Sequence, residues 1–207
     1  MDTVSELPGA VGREPGLRER KKAATRRALH EAAVRLAIEH GADRVTVEAI
    51  ADAANVSRRT FSNYFAGKDE ALLYGLQVRM RLLLDSVRDR PETESPWTAL
   101  TRSAESFYRQ LGDLDPQWVA QTRLVRAHPA LLGQQVATFA ALERELAAAV
   151  GNRLTDPDPT GIRARVIAAA FLSSLRVALH LWLDQPPGTS LADLVGQALG
   201  EAGQRFD

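Results

Sequence analysis

Cysteine is absent from this sequence. That gap removes disulfide frameworks, thiolate metal centres, iron–sulfur clusters and cysteine nucleophiles, and it fits a reducing compartment. The opening residues MDTVSELPGAVGREPG hold neither a basic stretch nor an apolar run, so no secretory signal is expected and the cytoplasm is the expected location. Catalytic signatures are missing too: there is no Gly-rich phosphate loop, no H-E-x-x-H and no G-x-S-x-G. Glu143 and Glu145 stand two apart, which on a helix points them to different faces and not at one substrate. Strand-like alternation, solenoid repeats and sustained heptads are likewise lacking. Net charge is zero, with 26 Lys and Arg against 26 Asp and Glu, but the distribution is uneven. Between Arg13 and Lys68 stand twelve Lys or Arg and seven Asp or Glu, a net of +5, so any anionic partner belongs to the N-terminal part.

What is present is helical periodicity, in a chain whose 207 residues and 45% hydrophobic content suffice for a core. Residues 1–16 hold Pro8, Gly9, Gly12, Pro15 and Gly16 with little apolar content and are expected to form a flexible arm. Ala28, Leu29, Ala32, Ala33, Leu36 and Ala37 predict a first helix over 18–40, stopped at Gly41. Thr46 and Ser57 are candidate N-caps of two short helices, the second reaching Tyr64, and a fourth helix is predicted from Lys68 to Arg88. Further helices are predicted over 96–111, 116–127, 130–150, from about 162 to Asp184, and from Ser190 onward. The expectation is an all-α fold of about nine helices. A boundary is expected at Lys68, between an N-terminal three-helix unit at 17–67 and a larger helical bundle at 68–207.

Residues 166–183 are apolar enough to raise the question of a membrane span, but Arg176 and His180 would be costly in a bilayer centre and no second span supplies partners. A helix buried on nearly every face is expected instead, and no membrane partner.

The informative stretch is VTVEAIADAANVSRRTFSNYFAGKDEAL, residues 45–72. Two helices of about two turns each cannot persist alone and must pack on a third. Ile50, Ala51, Ala54, Val56, Phe61 and Phe65 fit the inward set of a helix-turn-helix, leaving Ser57, Arg58, Arg59, Thr60, Ser62, Asn63 and Tyr64 for the outside. Arg can fork onto guanine, Asn can pair with adenine, and hydroxyls can reach phosphate. The basic run Arg18, Arg20, Lys21, Lys22, Arg26, Arg27 opposes the dipole at a helix start, which favours an external phosphate partner.

Here the sequence resembles the TetR family of transcriptional regulators over about residues 20–73. The resemblance is carried by Arg26, Leu29, Ala32-Ala33, Gly41, Thr46-Val47, Ile50-Ala51, Val56-Ser57, Thr60, Tyr64-Phe65, Lys68 and Leu72. It implies that Arg58, Arg59, Ser62 and Asn63 face base edges while Thr46, Thr60, Tyr64 and Lys68 hold the backbone. Two departures stand out. Asn55 replaces the usual Gly, and it is the next best residue for a left-handed turn; Ser62 replaces a usual aromatic. The resemblance further implies a homodimer joined by the last two helices, with Leu175, Leu179, Leu191 and Leu194 as candidate interface residues. Double-stranded operator DNA and a small-molecule effector are the implied partners, and repression is the family default.

Candidate effector-binding residues are Phe107, Trp118, Phe139 and Phe171, with Trp97 and Trp182 as further aromatics, and the polar residues His128 and Arg176 in apolar surroundings. Neither His128 nor His180 has a second ligand at i+3 or i+4, so no metal site is expected, and nothing calls for a cofactor. Three functional classes stay open: a ligand-responsive regulator, a ligand-independent DNA-binding protein, and a helical enzyme.

Overall fold

A computed structural model describes residues 16–111, 116–186 and 188–204, and among these nine α-helices and no strand occur. The expected arm at 1–16 lies, apart from Gly16, outside the described residues. Helix α1 spans Leu17–His40 and ends at Gly41, whose φ of +86° suits a residue without Cβ. A 3-10 turn at Ala42–Arg44 leads to α2 (Val47–Ala53) and α3 (Arg58–Ser62). Then follow α4 (Lys68–Arg88), α5 (Pro96–Leu111), α6 (Pro116–Ala127), α7 (Pro129–Gly151), α8 (Ile162–Leu183) and α9 (Leu191–Gly203).

Local chemistry sets the starts. Thr46, Ser57 and Ser190 are N-caps whose hydroxyl oxygens accept from the amides of Ala49, Thr60 and Asp193. Asp69 and Glu70 stand in the first turn of α4, and Glu70 also accepts from the Ala66 amide at 2.7 Å. At the other end of α4, Arg153 donates to the carbonyls of Val87, Arg90 and Pro91 at 2.9, 2.7 and 2.7 Å, satisfying groups that the helix leaves open. Asn55 takes the left-handed conformation, φ +53°, that turns α2 into α3. The third helix is shorter than expected, with Asn63 as its C-cap rather than a member.

Two buried clusters organise the chain. The first gathers Leu29, Ala33 and Ala37 of α1 with Ile50, Phe61 and Phe65, and it draws in Leu72 of α4, Val125 of α6 and Leu131 of α7. The second joins Leu83, Leu84, Leu100, Leu146, Ile167, Phe171 and Val195 from α4, α5, α7, α8 and α9. Helix α4 therefore belongs to both: its first two turns pack under the helix-turn-helix and its last two under the bundle. Close approach of α1 to α4 depends on Gly75, where a Cβ would lie 2.5 Å from Nε2 of His30. The His30 Nδ1 donates to the Ala71 carbonyl at 2.8 Å, and burial pushes its pKa below the ordinary histidine value, which keeps the ring neutral.

Helix α8 is long and apolar enough to cross a membrane, yet it packs on α7 and α9 as a core helix, and it carries Arg176 and His180. Four of its larger side chains, Ile162, Val166, Val177 and Leu181, form an exposed stripe along one side.

Candidate nucleic-acid interface and effector cavity

The helix-turn-helix presents Thr46, Ser57, Arg58, Arg59, Ser62 and Asn63 exposed, with Thr60, Tyr64 and Lys68 half-buried. Phe61, fully buried between them, fixes the rotation of α3 and so the direction of the exposed set. Several of these groups already have work inside the domain. Ser57 Oγ lies 2.8 Å from Thr60 Oγ1, so one hydroxyl proton is used between them and one stays available. Arg58 is exposed yet pairs with Glu48 of α2 at 2.9 Å, a contact that a base or phosphate would have to displace. Arg26 lies 5.1 and 4.9 Å from the ring centroids of Phe65 and Tyr74, so this member of the basic run braces the junction with α4.

Lys68 is the residue whose surroundings differ most from the simple expectation of a phosphate contact. Its Nζ donates to the carbonyls of Ala42 and Asp43 at 2.9 and 3.4 Å, stapling α4 to the turn after α1. Replacing Lys68 with Met is therefore expected to destabilise the protein by about 1–3 kcal/mol, the scale of losing charged hydrogen bonds. Urea denaturation monitored by circular dichroism measures it. A midpoint equal to that of the wild type would leave Lys68 no stapling role.

Between α4, α5, α6, α7 and α8 lies a cavity of about 390 Å³. Leu76 and Met80 form its α4 wall, Phe107 and Phe139 face it from α5 and α7, and Leu175 and Leu179 from α8. Trp118 closes it from α6, beneath the Arg79 guanidinium at 5.2 Å. Tyr108, Gln135, Arg176 and His180 supply polar groups. Burial raises the Tyr108 phenol to a pKa of about 12, so it is a neutral hydroxyl at physiological pH.

Comparison with known proteins supplies the family. Residues 29–74 match bacterial regulatory proteins of the tetR family, and residues 94–207, more than half of the chain, match the MftR C-terminal domain. The HTH-type transcriptional regulator TcmR of Streptomyces glaucescens is 31% identical over 174 residues, covering 81% of this chain and 77% of that protein. The chain belongs to the TetR family. It is accordingly a transcriptional regulator with a helix-turn-helix for DNA and a helical C-terminal domain. Solved TetR-like folds agree: a SmeT–triclosan complex superposes with a TM-score of 0.62 at 19% identity, covering 87% of this chain and 90% of that one. The fatty acid degradation regulator FadR from Bacillus halodurans superposes with a TM-score of 0.60 at 20% identity, covering 94% and 100%.

Within this TetR-family fold, the sequence-derived candidates divide. Phe107, Trp118, Phe139 and Arg176 come together on the cavity wall. Phe171 does not; it is fully buried in the bundle core, edge-on to Trp97 at 6.5 Å. His128 is also elsewhere, at the start of α7, with Nε2 3.3 Å from Asp43 in the turn after α1. The candidate interface leucines divide too within the single chain. Leu175 and Leu191 are buried in the chain's own core, Leu179 lines the cavity and Leu194 packs on the core. In a helix apolar on every side, spacing alone does not say which face meets its own bundle. The cavity residues missed by sequence reasoning include Leu76 and Arg79 of α4 and Gln135 of α7. For Gln135 the signal was the i, i+3, i+4 and i+7 repeat through Leu132, Gln135, Val136 and Phe139.

Proposed function

We propose that this protein is a homodimeric repressor that leaves an inverted-repeat operator when a small, mainly apolar molecule enters the cavity. The reading takes 17–67 as the DNA-binding domain and 68–207 as the effector and dimerisation domain, working in the cytoplasm without catalysis, metal or cofactor. Thr46, Ser57, Arg58, Arg59, Thr60, Ser62, Asn63, Tyr64 and Lys68 form its DNA face. The outward stripe of α8, more exposed than the candidate leucines, supports a two-fold interface. SmeT, a relative in fold, binds triclosan, which fits a small apolar effector here.

One observation carries the proposal. Two of the five helices that wall the cavity, α4 and α6, also hold the helix-turn-helix, one turn away. On α4, Leu72 belongs to the N-terminal core and Leu76 to the cavity. On α6, Trp118 faces the cavity, and Gln121 donates to the Leu72 carbonyl at 2.5 Å. A ligand that prefers a different tilt of α4 or α6 must shift the recognition helices, whereas one indifferent to tilt shifts nothing.

Genomic fragments captured by the purified protein and sequenced should share an inverted repeat. Titrating that operator with the effector should release it about 5- to 150-fold, the usual range of coupling. Leu76→Ala is expected to compress that ratio while leaving effector-free operator affinity near wild type. An equal ratio in both proteins would remove α4 as the lever, and fragments without a shared repeat would sink the dimeric reading.

A further inference from the structure

The cavity's polar groups point to a chemical class of effector. Rings and aliphatic side chains make up most of its wall, which suits a ring-containing body. The fixed charges present are of one sign: Arg79 and Arg176 line it, with the His180 ring beside them, and no Asp or Glu does among the described residues. Arg176 and His180 lie four apart on α8 and so share a face, and neither forms an ion pair with a described residue. Asp184 is held by Arg126 at 2.7 and 3.2 Å, and Glu143, which forms no ion pair with Arg176, lines an adjoining depression that shares Val136, Phe139 and Arg176 with the cavity. The Tyr108 side chain, 8% exposed and on the cavity wall, makes no hydrogen bond to a described residue, so a donor faces the ligand from α5 as well.

We infer that the effector is an apolar, ring-containing acid whose carboxylate or acidic phenolate lies against Arg176 and His180, with Tyr108 donating to a second oxygen. The inference rests on the reading of this cavity as the effector site. A guanidinium at the rim of an apolar cavity binds an anion more strongly than a neutral acceptor, because charge-assisted hydrogen bonds are about twice as strong. It also repels a cation of the same shape. Burial first, then Arg176 and Arg126, push the His180 pKa below the ordinary histidine value, so this ring serves as a neutral donor beside the Arg176 charge.

Three probes of one shape test this with the full-length protein by isothermal titration calorimetry: biphenyl-4-carboxylate, biphenyl-4-carboxamide and 4-phenylbenzylamine. The acid is expected to bind about tenfold tighter than the amide, and the amine weakest. In Arg176→Gln the acid should lose its advantage and fall to within about twofold of the amide measured on the same variant. Arg176 is exposed, so the melting midpoint should not move, and that is checked on the same sample. Equal binding of acid and amide by the wild type, or a preference that survives in Arg176→Gln, overturns the assignment. Amide or amine binding best would keep the cavity as the effector site and overturn only the acid. Silence from all three, with operator binding intact, counts against both.

Discussion

Val166→Glu combined with Val177→Glu is expected to give a folded monomer whose operator affinity falls by about 10²- to 10⁴-fold, the margin that two linked half-site contacts hold over one. Both valines are about half exposed in the single chain, at 49% and 46%, on the stripe that also holds Ile162 and Leu181. Ser173 lies on the same side, exposed and small enough for close helix approach. A two-fold axis beside this stripe would bring four new carboxylates together in an apolar contact, a repulsive and desolvating change that a homodimer cannot absorb. Sedimentation velocity reads the mass and circular dichroism the fold. The contrasting pair, Leu175→Asp with Leu179→Asp, strikes the chain's own core and cavity and is expected to unfold the bundle instead of separating subunits. A valine double variant that remains dimeric would move the interface off this stripe.

That contrast marks where sequence reading stops. Caps at Thr46, Ser57 and Ser190, the span of α4 and the left-handed Asn55 were legible because each depends on a few neighbouring residues. The same holds for the family pattern over the helix-turn-helix. Partition of α8 into an inner and an outer face was not legible: Leu175, Val177 and Leu179 are equally apolar, and only packing against α7 and α9 separates them. The partners of His128 and Lys68 were hidden for a related reason. An isolated histidine among apolar residues gives no hint of Asp43, 85 positions earlier, and a lysine at a helix start gives no hint of the Ala42 carbonyl. The cavity is less legible still, since five helices contribute to it.

Arg58→Ala is the second large effect, and its sign is tied to Glu48. In the free protein the Arg58 guanidinium, 72% exposed, bonds Glu48 at 2.9 Å, and an exposed pair of this kind contributes at most about 1 kcal/mol. Guanine offers two acceptors to the same fork, a contact worth about 1–3 kcal/mol of discrimination, so exchange of Glu48 for a base is favourable only at the right sequence. Removing the side chain should therefore cost operator affinity about 10- to 100-fold per half-site and flatten preference at one symmetric position, leaving random DNA almost unaffected. Asn63→Ala should do the same at a different position. Glu48→Gln should act in the opposite direction: it frees Arg58 and deletes a negative charge near the phosphates, so every sequence binds more tightly and the gain shrinks at high salt. Fluorescence anisotropy across a set of operators with single base-pair changes, at two salt concentrations, separates these outcomes. If Arg58→Ala weakens all sequences equally, Arg58 is a phosphate contact, and base reading passes to Arg59 and Asn63.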